Sequence, residues 1–183
     1  MADRTGNITV MDDLKNEALY LVEKVNNNIY YNTVYDDTLM RFNPHTREKV
    51  SLNLNGISDV LLSPNGNQIL VVQTNGSKKN LILCDPNGSS QITVAEGTEI
   101  GGVSWSPDQS MIAYNVKADE NGVILNSLHV YDILTGASTQ IAVGIEYPDT
   151  CWSPSGEKLA YTEWDGVQFI SSIVYLKYSL EKQ

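Results

Sequence analysis

The sequence predicts an all-β protein built from repeated four-stranded units, and three observations lead to this prediction. The first is a repeat: "VSWSPDQSMIAY" at 103–114 returns as "TCWSPSGEKLAY" at 150–161, and more loosely as "LLSPNGNQILVV" at 61–72. The second is the spacing of the three Ser-Pro anchors, 43 and 47 residues apart. The third is the abundance of short runs rich in Val, Ile, Tyr and Thr, bounded by Pro, Gly, Asn and Asp, which are typical of strands and turns. Four-stranded units at this period are typical of β-propeller blades.

Each unit can be divided into strands from its apolar runs. An apolar run begins six residues after each anchor, and an earlier, degenerate copy in "EKVNNNIYY" places Ile29, Tyr30 and Tyr31 at the same offset. The predicted strands are 57–62, 68–73, 80–85 and 90–95 in the second unit, and 99–105, 111–117, 126–132 and 138–143 in the third. The predicted repeats of this single domain, 1–183, are 12–55, 56–97, 98–144 and 145–183, with a separate strand at 6–11.

The strand count suggests how the ring closes. The last unit provides strands at 146–152, 158–164 and 170–178 and lacks a fourth, whereas "GNITV" at 6–10 matches the fourth strand "SQITV" at 90–94. In one interpretation the N-terminal strand completes the last of four blades, which removes both exposed sheet edges. In the alternative, the chain is an open arc of a larger propeller, which exposes apolar blade faces and favours a homodimer.

Four residues around the anchors are predicted to be structural. Pro107 and Pro154 occupy the second position of their turns, where the fixed φ of proline is already suitable. Trp105 and Trp152 precede the Ser-Pro turns and are expected to wedge between neighbouring blades.

Composition and charge exclude several functions. The chain has 12 Lys and Arg against 22 Asp and Glu, a formal net charge of −10, so it lacks the basic footprint of a nucleic-acid binder. No stretch of the sequence is long and apolar enough for a membrane span. The polar, acidic start "MADRTGNITVMDD" shows no secretion signal, so a cytoplasmic location is not excluded.

The residues that usually carry chemistry are sparse. Cys84 and Cys151 are expected to be free thiols on different blades, and with His45 and His129 as the only histidines no metal-ligand cluster is predicted. A Ser-His-Asp triad would need one of these histidines, and the repeat places both at outer positions. No phosphate loop or other cofactor motif is present, so we expect no cofactor, no metal and no enzymatic activity.

One pattern of charge points to binding. In a blade, the connections from strand 2 to strand 3, and from strand 4 to the next strand 1, lie on the same face of the disc. Ten of the 22 acidic residues fall on these connections: Asp12, Asp13, Asp36, Asp37, Glu96, Glu99, Asp119, Glu120, Glu146 and Asp165. We expect an electronegative docking face for a basic segment or cation, centred on Asp36, Asp37, Asp119, Glu120 and Asp165. Asp59 and Asp149, each four residues before an anchor, are candidates for the central channel.

The repeat motifs also resemble a known family. "WSPDQSMIAY…LHVYDILTG" and "WSPSGEKLAY…IVYLKY" resemble the TolB-type propeller repeat, which is similar to the propellers of prolyl-oligopeptidase relatives. The resemblance covers 56–178, and 17–55 resembles a looser form of the repeat; the N-terminal α/β domain of TolB has no counterpart here. It implies an extracytoplasmic setting and envelope-protein partners.

Together the residues and the resemblance favour a non-catalytic scaffold that binds a protein or peptide. Two alternatives stay open at this point. One is a ligand-sensing extracytoplasmic domain of a larger membrane protein, and the other is the propeller portion of a hydrolase or lyase.

Overall fold

The chain folds into four antiparallel β-sheets that follow one another along the sequence. The computed structural model describes residues 19–25, 27–120, 123–144, 149–164 and 166–176, with backbone alone for 20–23, 25 and 120. Within these residues every regular element is a strand, and none is a helix long and apolar enough to cross a bilayer. Each sheet is a meander whose strands pair in chain order, which makes it a propeller blade.

The first two blades have four strands each. Blade 1 contains β1 (Leu19–Val25), β2 (Asn28–Thr33), β3 (Met40–Asn43) and β4 (Glu48–Ser51). Blade 2 contains β5 (Ile57–Leu62), β6 (Ile69–Asn75), β7 (Lys78–Cys84) and β8 (Ile92–Gly97).

The remaining seven strands form blades 3 and 4. Blade 3 contains β9 (Glu99–Trp105), β10 (Met111–Glu120), β11 (Val123–Asp132) and β12 (Ser138–Val143). Blade 4 contains β13 (Thr150–Trp152), β14 (Lys158–Trp164) and β15 (Phe169–Tyr175). The all-β propeller with sheets of three and four strands confirms the predicted fold class. The expected fourth strand at 6–11 lies outside the described residues.

The hairpins between second and third strands are longer than the sequence predicted. We expected β11 to begin at 126, but β10 and β11 pair as far as Glu120 and Val123. Asp119 and Glu120 therefore lie on a paired strand end, not in an open loop, which corrects their predicted placement. The reason is that the hairpin connection needs only residues 121–122, an Asn-Gly pair of the kind that closes tight hairpins.

Blades 1 and 2 pack through a shared apolar core. Tyr30 and Leu39 of blade 1 cluster with Val60, Ile69 and Val71 of blade 2, all of them buried. Polar groups also cross this interface: the Tyr30 hydroxyl donates to the Pro86 carbonyl at 3.1 Å, and the buried Asn32 amide donates to the Ile57 carbonyl at 2.8 Å. These bonds satisfy groups that burial would otherwise leave unpaired.

Trp105 lies between blades 2 and 3. It is buried in a cluster that joins Leu70 and Leu83 of blade 2 to Ile112 and Tyr114 of blade 3. Its indole Nε1 has no hydrogen-bond partner among the described residues, so its contribution comes from packed area.

Trp152 occupies the matching position between blades 3 and 4. It packs against Ala113 and Val130 of blade 3 together with Leu159 of its own blade. Unlike Trp105, it has a partner, because its Nε1 donates to Ser104 Oγ at 3.1 Å. The repeated tryptophan is thus a packing residue at both interfaces.

The repeated serine of the Ser-Pro anchor closes the hairpin between the first and second strands. Ser106 Oγ accepts a hydrogen bond from the Met111 N–H at 2.9 Å and donates to Asp108 Oδ1 at 2.6 Å. Ser63 and Ser153 accept from the backbone five residues later in the same way, at 3.0 Å each. Pro107 and Pro154, which follow two of these serines, are exposed, so they act by restricting the backbone.

These turns contact each other from blade to blade. Gln109 adopts a positive φ of 64° at a position where glycine occurs in the other two turns, and its Oε1 accepts from the Asn65 N–H of blade 2 at 3.0 Å. At Gly156 of blade 4 a Cβ would lie 3.1 Å from the carboxylate of Asp108. The turn of one blade is therefore built against the turn of the next.

The two cysteines are free, as the sequence predicted. Cys84 is buried at the end of β7, whereas Cys151 is exposed on β13, two blades further along the chain. Burial, and then the charge of Asp85, raises the pKa of the Cys84 thiol to about 12.

Removal of the Ser106 hydroxyl should destabilise the fold. The Ser106→Ala variant leaves the buried Met111 N–H without its partner, and we expect a loss of about 1–3 kcal/mol in the free energy of unfolding measured by urea denaturation. Ser153→Ala is the matched control: this serine makes the same bond at a half-buried site, so its loss should be smaller. Equal losses would show that burial does not set the value of this bond.

The cysteines should differ in reactivity. In the folded chain at low protein concentration, Ellman's reagent should react rapidly with one thiol, Cys151, because only a thiolate attacks the reagent and Cys84 is buried with a raised pKa. In denaturant both should react. The Cys151→Ser variant should lose the rapid phase, and a rapid phase that persists in it would contradict the burial of β7.

Candidate functional site

The connections between second and third strands extend from the same edge of every blade. Strands 1 and 3 of each meander run in the same direction, so the 2→3 connections and the 4→1 crossings lie on one face of the propeller. We call the described part of this face the acidic face, defined by Asp36, Asp37, Glu96, Glu99 and Asp119. All five residues are exposed.

In blade 1 the acidic face is formed by a rigid loop between β2 and β3. The N–H of Thr33 donates to the Asp36 carbonyl at 3.0 Å, and the N–H of Asp36 donates to Thr33 Oγ1 at 3.0 Å. Asp36 Oδ1 in turn accepts from the Thr38 N–H at 2.9 Å, and the hydrogen bonds from Thr38 lower the pKa of Asp36. The loop is fixed at its base and holds Tyr35, which is 91% exposed, at its tip.

Exposed apolar side chains recur at the other 2→3 connections. In blade 3, Val123 and Ile124 are exposed at the start of β11, where Ile124 pairs with Asp119. In blade 4, Val167 is exposed in the connection from β14 to β15. The sequence pattern missed these residues because we searched the loops for charge alone. The signal was present, since each stands within a few positions of an acidic residue.

Two of the acidic residues are paired with lysines. Lys78 forms an ion pair with Glu96 in blade 2, and Lys117 Nζ lies 3.5 Å from Glu99 Oε1 in blade 3. The net negative charge of the described face is therefore concentrated at Asp36, Asp37 and Asp119. Of the other predicted members, Asp12, Asp13, Glu146 and Asp165 lie outside the described residues, as does the side chain of Glu120.

Asp59 and Asp149 are on different blades and both are exposed. Asp59 lies on β5, and Asp149 directly precedes β13, where its carbonyl accepts from the Thr162 N–H at 3.1 Å. Asp149 lines a cleft of about 150 Å³ together with Cys151, Ala160 and Ser171 of blade 4. This volume is well below the several hundred Å³ of a typical small-molecule site. The role of the two aspartates in a central channel stays a prediction.

His129 contacts a serine, yet the contact does not have the form of a catalytic triad. Ser127 Oγ lies 2.8 Å from His129 Nε2, and the ring stacks on Tyr114 with centroids 5.4 Å apart. Ser127 is buried, and no carboxylate contact to the ring is recorded for the described residues. Burial lowers the pKa of His129. The pair therefore belongs to the packing of blade 3.

Metal binding was also tested by composition of the surface. Across the described ranges, no group of three or more His, Cys, Asp or Glu side chains is arranged to hold an ion.

Comparison with known proteins relates this geometry to solved propellers. The chain matches no family model, and no curated protein matches it in sequence. Its structure is similar to the propeller domain of the trilobed protease from Pyrococcus furiosus, which has an open velcro topology, with a TM-score of 0.66 and 12% identity. It is also similar to TolB from Acinetobacter baumannii (TM-score 0.57, 14% identity) and to acylaminoacyl peptidase from Pyrococcus horikoshii (TM-score 0.61, 13% identity).

The matches cover most of this chain but only part of each of those proteins. They include 88%, 82% and 82% of this chain, and 55%, 38% and 28% of the three solved chains in the same order. At these identities the likeness shows the fold alone. The chain has a TolB-like β-propeller fold, which the propeller domains of several peptidases share.

Acidification should destabilise the fold through His129. Its folded-state pKa is below the unfolded value of about 6.5, so the folded state binds fewer protons, and stability is lost as the pH falls below that value. We expect the urea midpoint to fall between about pH 7 and pH 5. His129→Gln should flatten this dependence, whereas His45→Gln, at an exposed turn, should retain it. An unchanged slope in His129→Gln would assign the effect to other groups.

Proposed function

We propose that this propeller is a non-catalytic interaction module that binds a protein or peptide segment on its acidic face. The observation that carries the proposal is Tyr35, which a rigid loop holds almost fully exposed beside Asp36 and Asp37. Exposed tyrosines on ordered backbone are favoured contact residues, because their large area is ordered at low entropic cost.

The chemistry of the face defines the partner. Apolar tips at Tyr35, Ile124 and Val167 stand beside unneutralised carboxylates at Asp37 and Asp119. The complementary segment combines an apolar or aromatic residue with flanking Lys or Arg. The apolar contacts supply affinity, and the charges speed association and select the partner. An extracytoplasmic partner, which the TolB resemblance implies, is part of this proposal.

A second candidate function is the propeller portion of a hydrolase. It is favoured by the similarity to the propeller-containing acylaminoacyl peptidase, of which this chain covers 28%. In that case catalytic groups come from another domain, and the isolated propeller need not hold a peptide on the acidic face by itself.

Peptide display can test the acidic face directly. Random peptides displayed on phage are selected on the wild-type chain, and the dissociation constant of one selected synthetic peptide is measured by calorimetry. We expect selected peptides to be enriched in aromatic residues and Lys or Arg. Tyr35→Ser should weaken binding by about tenfold or more. Asp36→Asn with Asp37→Asn should weaken it less and reduce its salt dependence, since Asn can still accept from the Thr38 N–H.

Two controls carry matched changes on the opposite edge of the blades. Leu134→Ser removes an apolar side chain that is 92% exposed in the β11–β12 turn, and Glu48→Gln with Glu157→Gln removes two exposed charges. Both should leave binding unchanged. Equal weakening by control and test variants, or peptides with no basic or aromatic bias, would reject the acidic face as the docking site.

A further inference from the structure

The outer face of blade 4 is the least covered sheet face in the described structure. It carries Cys151, Ala160 and Ile173 across its middle, all in register. The edge-to-face pair Trp164–Phe169 lies at one end, and Lys158 lies over the Tyr175 ring at the other. We call these seven residues the open face. Phe169, Ile173 and Tyr175 are each at least 60% exposed.

The same face is buried in the two preceding blades. Ile173 pairs with Ala160 in the register in which Val130 pairs with Ala113 in blade 3, and Leu83 with Leu70 in blade 2. Val130 is 5% exposed and Leu83 is 2% exposed, because each lies under the following blade, whereas Ile173 is 60% exposed. The open face thus has the side chains and the register of a blade–blade interface, but none of the described residues covers it.

We propose that the open face is where a second copy of this chain docks. The charge pattern supports this occupant. The chain carries a net charge of −10, which opposes self-association in general, but the described charges at the open face and its cleft are Lys158 and Asp149, one of each sign. Two copies can therefore meet here without the repulsion that their acidic faces would cause.

The repeat provides the complementary surface on the second copy. Where blades meet in this chain, the following blade contributes an aliphatic residue and a tyrosine two positions apart, such as Leu159 and Tyr161 against blade 3. Ile29 and Tyr31 are the same pair in blade 1, in a cluster whose described members all come from blade 1. Both side chains are buried in the single chain, so docking at this surface requires that their cover be displaced.

The length of the chain agrees with two copies. The chain covers 55% of the propeller domain of the trilobed protease, so it has about half of that propeller. Two copies joined through this interface twice, related by a twofold axis, would form a closed ring that leaves no blade face uncovered. This assembly is independent of the acidic face, which lies on the perpendicular surface formed by the loops.

Sedimentation of the purified full-length chain over a range of concentrations tests this inference. The wild type should change from the mass of one chain to twice that mass as concentration rises through the micromolar range. Ile173→Lys places a charge in the interface and should weaken association at least tenfold, with no loss of thermal stability in the monomer, because Ile173 is exposed there. Leu134→Lys, at an exposed apolar site on another surface, is the matched control and should dimerise like the wild type.

The reaction of Cys151 with Ellman's reagent gives a second readout on the open face itself. Its rate should fall as the wild-type concentration rises, and should stay constant in Ile173→Lys. A wild type that is monomeric throughout would overturn the proposal, as would a dimer that Ile173→Lys leaves intact. If Ile173→Lys lowers the melting temperature of the monomer as a core substitution does, a segment of the same chain covers this face and the second copy is excluded.

Discussion

The structure depends on one constraint: a propeller blade is apolar on both faces, so it must be covered on both sides. In blades 2 and 3 neighbouring positions of the second strand show this directly. Ile112 and Tyr114 point toward the preceding blade, and Ala113 between them points toward the following one. A soluble sheet of four strands usually has one wet face. Here each strand is apolar throughout because the two faces belong to two different cores.

This constraint explains why the repeat conserves more than hydrophobicity within the chain. Blades must stack at a constant angle, and the turns that begin each hairpin touch from one blade to the next, through Asn65 with Gln109 and through Asp108 with Gly156. The serine of each anchor fixes the shape of that turn, and the tryptophan before it fills the space between blades. The repeated letters are therefore the interface, written once for each blade.

The same architecture separates folding from binding. The cores between blades hold the apolar residues of the strands, so the loops are free to carry whatever chemistry a partner requires. In this chain the loops carry carboxylates and a few exposed apolar tips, of which Tyr35 is the most exposed. The fold is shared with TolB and with peptidases, so it does not specify a function, and the surface has to be considered by itself.

The sequence by itself determined the strands, their grouping and the positions of the packing residues. A period of 43 to 47 residues and the fixed offset from each serine to its apolar run are local signals, and the strands in blades 2 to 4 lie close to where they were predicted. The sequence also determined that the chain is acidic and that both cysteines are distant. Local periodicity is enough for these features because a blade is a meander of neighbours in sequence.

Only the tertiary structure decided which apolar residues are exposed. Val130 and Ile173 occupy equivalent positions and are equally apolar, yet one is buried and the other is not, because burial depends on whether another blade follows. Likewise the structure showed that Asp36 supports a turn while Tyr35 faces solvent, and that Asp119 belongs to a strand. These properties are set by contacts between residues distant in sequence, or by their absence, and no local pattern records them.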